Sequence, residues 1–118
     1  MPSGQEGDHL FVVLNNPATF DGYGTRPHVV LVNISTVRPG ISHDPACLLP
    51  MGCHPFVKNE SYVVYKRARI EAVKHLERRV QEGFFKPQAP MPAAQLAAIR
   101  AGLQASLFVT REIKELKL

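Results

Sequence analysis

Apolar residues in this chain fall into short runs separated by turn-forming clusters, the pattern of strands joined by structured loops. His9-Leu-Phe-Val-Val-Leu14 is apolar, β-branched and closed by Asn15-Asn16-Pro17, which predicts a buried strand over 10–14 and then a turn. Pro27-His-Val-Val-Leu-Val-Asn-Ile-Ser35 predicts a second strand over 28–35, ended by the polar turn through Arg38-Pro39-Gly40. Ala46-Cys-Leu-Leu49 predicts a short third strand over 46–49. Residues 61–70, from Ser61 to Ile70, alternate partly and predict a fourth strand, with a solvated basic face carrying Lys66 or Arg67 and Arg69.

Beyond residue 70 the period changes. Val73, Leu76 and Val80 fall at helical spacing within 71–82, and Gly83 is placed to end a short helix. Phe84 to Pro92 reads as a linker whose final proline suits the first turn of a helix. Leu96, Ile99 and Leu103, extended by Leu107, form a stripe that predicts a helix over about 93–106. Thr110 is positioned to cap a last short helix, with Glu112 in its first turn and Lys114 and Lys117 towards its end. These elements make one mainly β domain over 1–118, a small, strongly curved antiparallel sheet or barrel with a C-terminal helix over its open end.

Two segments resist regular structure. Residues 15–27, NNPATFDGYGTRP, combine Asn, Pro, Asp and two glycines, a composition suited to a fixed loop. Pro50-Met-Gly-Cys-His-Pro55 loses backbone donors at both prolines and forms a second loop.

The 118 residues are 45% hydrophobic and 20% charged, close to the average of folded domains. Net charge is +4 and the pI about 9.3, which admits a polyanion partner without requiring one. The first residues carry no basic and apolar leader, and the longest apolar runs fall short of a membrane span, so the expectation is a cytoplasmic chain with no membrane contact. Cys47 and Cys53, six apart, read as reduced thiols. GxxxxGK[ST], GxSxG and HExxH are absent. His43, Asp44, Cys47, Cys53 and His54 supply metal donors, but their spacing matches no zinc signature, and the reading is no metal and no cofactor.

Gly7-Asp-His-Leu-Phe-Val-Val-Leu14 resembles the opening strand of the MazF/PemK/Kid toxins, and Gly24-Thr-Arg-Pro27 running into Val29-Val-Leu-Val32 is similar to that family's Gly-x-Arg-Pro and second strand. Residues 94–109 are similar to its C-terminal helix, and Ser61 to Ile70 take the place of its late strand. The resemblance implies an SH3-like barrel, a homodimer, metal-independent cleavage of single-stranded RNA, and a cognate antitoxin protein that blocks the RNA groove. Leu10, Phe11 and the terminal helix are then the candidate dimer contacts.

Such cleavage needs the 2′-hydroxyl deprotonated, the 5′ oxygen protonated and the phosphorane charge stabilised. Arg26, between Gly24 and Pro27, is the candidate for the charge, its guanidinium forking onto two phosphate oxygens; the plainer alternative is a surface or dimer-interface arginine. His54 is the candidate for proton transfer, or else a hydrogen-bonding loop residue. Asp21 stands where the family's first loop carries an acid and is read as a base, a partner of Arg26 or a turn former. Thr25, Lys66, Arg67 and Arg69 complete the expected RNA contacts. Family members tend to offer Thr or Ser after the third strand, where this chain has Met51, Gly52, Cys53 and His54. The alternatives are therefore a non-catalytic barrel that binds RNA or protein, or a barrel serving assembly alone.

Overall fold

A computed structural model describes residues 3–7 and 9–118. Its strands are β1 Ser3–Glu6, β2 His9–Val13, β3 His28–Thr36, β4 Leu48–Leu49, β5 Ser61–Ala72 and β6 Phe85–Pro87. Helix α1 spans Val73–Gln81, α2 Ala93–Ala105 and α3 Arg111–Lys114. Every strand pairing is antiparallel, in the order β4-β5-β3-β2-β1-β6, a curled mainly β sheet with helices at its C-terminal half.

Alternation along the strands divides the sheet into two buried faces. Leu10 and Val12 of β2, Val30, Val32 and Ile34 of β3, and Val63 and Tyr65 of β5 point to the main core, closed by Ile99 and Leu103 of α2 and Ile113 of α3. Phe11 of β2, Val29 and Leu31 of β3 and Phe85 of β6 point the other way and are covered by Leu76 of α1. Strands buried on both sides read as continuous apolar runs, which is why HLFVV and HVVLV were conspicuous.

The β3–β5 pairing carries a large irregularity. Leu31 pairs with Arg69 and Asn33 with Val64, so Val32 alone stands against the four residues 65–68. Lys66 and Arg67 cannot be buried unpaired, and the bulge turns both outward where strict alternation would have sent one of them inward. Arg69 is half-buried, so the basic face expected on this strand is split.

Several elements differ from the sequence expectation, with β5 running on to Ala72 so that α1 begins at Val73. The third strand is confined to Leu48–Leu49, with Ala46 and Cys47 leading into it through a turn on Asp44. The expected linker contains β6, which pairs with β1 through Gly4–Pro87 and Glu6–Phe85. Polar SGQE becomes β1 because its partners on both sides, and not its own propensity, hold it. Helix α2 ends before Leu107, which is 91% exposed and outside the apolar stripe. Thr110 does precede α3 but makes no side-chain cap bond. Gly83, with φ +81°, follows α1 as expected.

Candidate functional site

The 15–27 loop is held by its backbone. Ala18 and His28 exchange N–H···O bonds of 3.1 and 2.7 Å, and His28 donates Nδ1–H to the Arg26 carbonyl at 2.8 Å while its ring meets Tyr23 edge-on at 5.5 Å. Gly22 and Gly24 adopt φ of +86° and +75°, open to glycine without strain. Thr25 and Arg26 are exposed on this frame, and neither Arg26 nor Asp21 takes part in an ion pair among the described residues. Asp21 shares a shallow hollow with Glu112 and Glu115, an acidic surface that repels phosphate.

His54 lies elsewhere. The 50–60 loop joins Leu49 to Ser61, and Ser61 pairs with Thr36, whereas the Arg26 loop leads into His28, which pairs with Ala72. These are opposite ends of the β3–β5 pair, eight β3 steps or about 26 Å apart at ~3.3 Å per residue. His54 is 1% exposed, accepts the Phe56 N–H at Nδ1 (3.0 Å) and donates Nε2–H to the Ala89 carbonyl (2.6 Å). Both ring nitrogens are committed, Nδ1 within its own loop and Nε2 to the β6–α2 connection, where Ser3 donates its hydroxyl to the same Ala89 carbonyl. The structure thus keeps His54 apart from Arg26, so the two do not form one site, and gives His54 the hydrogen-bonding role.

A different imidazole stands at the Arg26 end. Val73 donates its N–H to the Pro27 carbonyl at 3.0 Å, tying the end of β5 to the exit of the Gly24-Thr-Arg-Pro27 loop. Two residues to either side of Val73, Glu71 and His75 are joined by an Oε2···Nδ1 contact of 2.8 Å. A carboxylate can only accept, so His75 donates Nδ1–H, and in the neutral ring this leaves the lone pair at Nε2, on a side chain about half exposed. Glu71 is itself 3.7 Å from the Arg69 guanidinium, a second contact that holds its carboxylate in position behind the ring. The Glu-x-x-x-His spacing was legible in EAVKH, but the apolar stripe of the same segment masked it.

Positive charge is concentrated along β5 and α1. Residues 66–79 hold six Lys and Arg against two Glu, so this segment alone matches the +4 of the whole chain. Lys66, Arg67, Lys74 and Arg78 are exposed. Arg69 instead reaches Glu6 of β1 at 2.8 Å, with β3 and β2 between their strands, and lies 6.0 Å from the Phe85 ring centre. Arg79 lies 4.1 Å from the ring centre of Phe84, which is 55% exposed. Alongside, an apolar groove of about 570 Å³ runs between Val73, Leu76 and Val80 of α1 and Val13 and Val29 of the sheet, opening at Asn16 and Pro17.

The residues weighed as metal donors are committed elsewhere or enclosed. Asp44 accepts the Ala46 N–H and the Ser106 hydroxyl, His54 is enclosed, and burial pushes both the Cys47 and Cys53 thiols up, away from the thiolate form that binds metal. Among the described residues no three His, Cys, Asp or Glu side chains gather around one point. No helix among them is long and apolar enough to cross a membrane.

No family model, curated protein or solved structure matches the chain. The MazF/PemK/Kid resemblance therefore rests on the residues of the first two core strands and the late elements themselves.

Proposed function

We propose that this chain is the toxin of a type II toxin–antitoxin system, a cytoplasmic, homodimeric, metal-independent endoribonuclease with an SH3-like half-barrel of the MazF/PemK/Kid kind. It cleaves single-stranded RNA and is silenced by a cognate antitoxin protein. The observation that carries this reading is the Glu71–His75 hydrogen bond, two residues from the backbone bond that ties β5 to the Arg26 loop. A carboxylate-oriented imidazole and an exposed guanidinium, on segments tied together by the Val73–Pro27 backbone bond, supply a base and an anion clamp at one end of the sheet.

In the proposed reaction Nε2 of His75 takes the proton of a ribose 2′-hydroxyl, whose oxygen attacks the adjacent phosphorus. Arg26 stabilises the charge that develops on the non-bridging oxygens, the P–O5′ bond breaks, and the 5′ oxygen takes a proton from water. The products are a 2′,3′-cyclic phosphate and a 5′-hydroxyl. Lys66, Arg67, Lys74 and Thr25 hold the strand by its phosphates and sugars.

The test is to incubate the purified chain with single-stranded RNA in EDTA and map the ends. Cyclic-phosphate ends, lost in Arg26→Ala and in His75→Ala, are the expected result. Salt-sensitive binding with no cleavage of any sequence would leave the non-catalytic RNA-binding barrel as the reading, which the enclosure of His54 favours over a second acid/base group. Growth arrest on expression in bacteria, relieved by Arg26→Ala, tests the toxin assignment.

A further inference from the structure

At the opposite end of β5 from Arg26 is a small pocket of about 160 Å³, lined by His43, Tyr62, Val64, Tyr65, Lys66 and Phe108 among others. It falls well below the ~300–1,000 Å³ of sites for drug-sized molecules and offers room for one flat ring. His43 and Tyr62 pair with ring centres 5.2 Å apart. Phe108 is 56% exposed, and its neighbour Leu107 91%.

That exposure is built in, not the fraying of a loose tail. Asp44 accepts the Ala46 N–H at 2.9 Å through Oδ1 and the Ser106 hydroxyl at 2.6 Å through Oδ2, and Ser106 Oγ in turn accepts the Phe108 N–H at 3.1 Å. One continuous hydrogen-bonded chain thus fixes the segment bearing His43 against the segment bearing Phe108. The buried Ser106, 1% exposed, sits in the middle of it. Holding an aromatic ring in water opposes folding, and a fold that secures it with three hydrogen bonds presents it for a ligand.

The β5 bulge brings Lys66, one of the four exposed cations of the 66–79 segment, to the edge of the same pocket. Aromatic walls with an adjacent ammonium recognise a base by its π face and its phosphate by charge. We infer that the His43–Tyr62–Phe108 pocket is a base-binding subsite that takes one unpaired nucleobase of single-stranded RNA, with Lys66 on the neighbouring phosphate. This rests on the RNA reading above, though not on cleavage. Ser35 pairs with Tyr62 and His28 with Ala72, so the subsite stands seven β3 residues, about 23 Å at ~3.3 Å per residue, from the Arg26 end. The base it holds is therefore several nucleotides from the phosphate at Arg26.

The experiment uses the full chain with short single-stranded 2′-fluoro RNA, which lacks the attacking hydroxyl, and a 2-aminopurine probe walked through the sequence. Quenching should peak at one position. Phe108→Ala, at an exposed site that leaves the core intact, should abolish the peak and weaken binding about fivefold to a hundredfold, the range of one base–aromatic stack, with the salt slope unchanged. Lys66→Ala should keep the peak and reduce the slope. Binding that is indifferent to Phe108→Ala and quenched at no position overturns the subsite and leaves the RNA reading standing. That is also the outcome if the pocket takes an aromatic side chain of a protein partner. No salt-sensitive RNA binding at all overturns both.

Discussion

The Tyr65 hydroxyl donates to the Ile99 carbonyl at 2.7 Å across the space that Gly102 leaves in α2. Helix α2 is thereby clamped to β5 from inside the core, at a carbonyl that a helix normally satisfies only from within. A Cβ at position 102 would lie 2.2 Å from the Tyr65 oxygen and 3.0 Å from the Cys47 Cβ. Gly102→Ala gains up to about 1 kcal/mol in helix propensity but meets a rigid buried ring, so overpacking of about 1–3 kcal/mol outweighs it. The expected result is a lower urea midpoint, and Gly102→Ala combined with Tyr65→Phe should recover part of the loss. A midpoint at or above that of the parent chain would show that the helix moves freely away from β5.

The alkaline limb of stability should fall early. Burial pushes the Cys47 and Cys53 thiols above their ordinary 9.0, and burial together with the neighbouring Cys47 pushes the Tyr65 phenol well above its ordinary 10.0. The folded chain keeps protons that the unfolded chain releases, so this stabilisation is complete below about pH 9 and declines as pH rises above it. Urea midpoints between pH 7 and 10.5 should drop at the upper end, and less steeply in Cys47→Ala than in the parent chain. A flat profile would mean that the thiols and phenol are open to solvent in the folded state.

The two histidines divide cleanly. His54→Ala leaves the Phe56 N–H without its acceptor, leaves the Ala89 carbonyl to the Ser3 hydroxyl alone and opens a buried space, so it should cost a few kcal/mol of stability, about 1–3 of it from the orphaned N–H. His75→Ala, half exposed, should leave stability within about 0.5 kcal/mol yet reduce RNA cleavage ~10²–10⁴-fold. Glu71→Gln should act in the same direction with a smaller effect, because it orients the ring without touching the RNA. Equal loss of cleavage per folded molecule in both histidine variants would remove the distinction.

The apolar runs made the two central strands and the long helix legible, because a strand buried on both faces and an amphipathic helix each write their period into the sequence. β1 and β6 were not legible: SGQE and FKP carry no strand period of their own and become strands only when the chain returns at residue 85. The site was half legible. Gly24-Thr-Arg-Pro27 announces a fixed loop with an exposed arginine, but no local signal shows that the PMGCHP loop leaves from the other end of β3, since that follows from the register of Ser61 on Thr36. Likewise the three-residue excess in β5 that sets Lys66 and Arg67 side by side outside is a property of the pairing, invisible in KRAR alone.

The basic residues of β5 should separate by measurement into two kinds. Lys66 and Arg67 project from the bulge and take part in no ion pair among the described residues, so each is available to a phosphate. Arg69 is committed to Glu6 at 2.8 Å and to the vicinity of Phe85, with both partners of the ion pair about one third exposed. For single strands each phosphate contact contributes about 0.7 to the slope of log affinity against log salt. Lys66→Ala and Arg67→Ala should each lower that slope by about this amount and weaken binding to all sequences alike, leaving the thermal midpoint in place. Arg69→Ala should do the reverse. It removes the guanidinium that lies 6.0 Å from the Phe85 ring centre and leaves the Glu6 carboxylate without its partner, so the midpoint falls by a few degrees while the slope barely changes. If Arg69→Ala takes as much from the salt slope as Arg67→Ala, the Glu6 pair opens when RNA arrives, and the ion pair is a latch on the groove instead of a fixed strut. Adding Glu6→Gln would then raise RNA affinity in the parent chain and have no effect once Arg69 is gone.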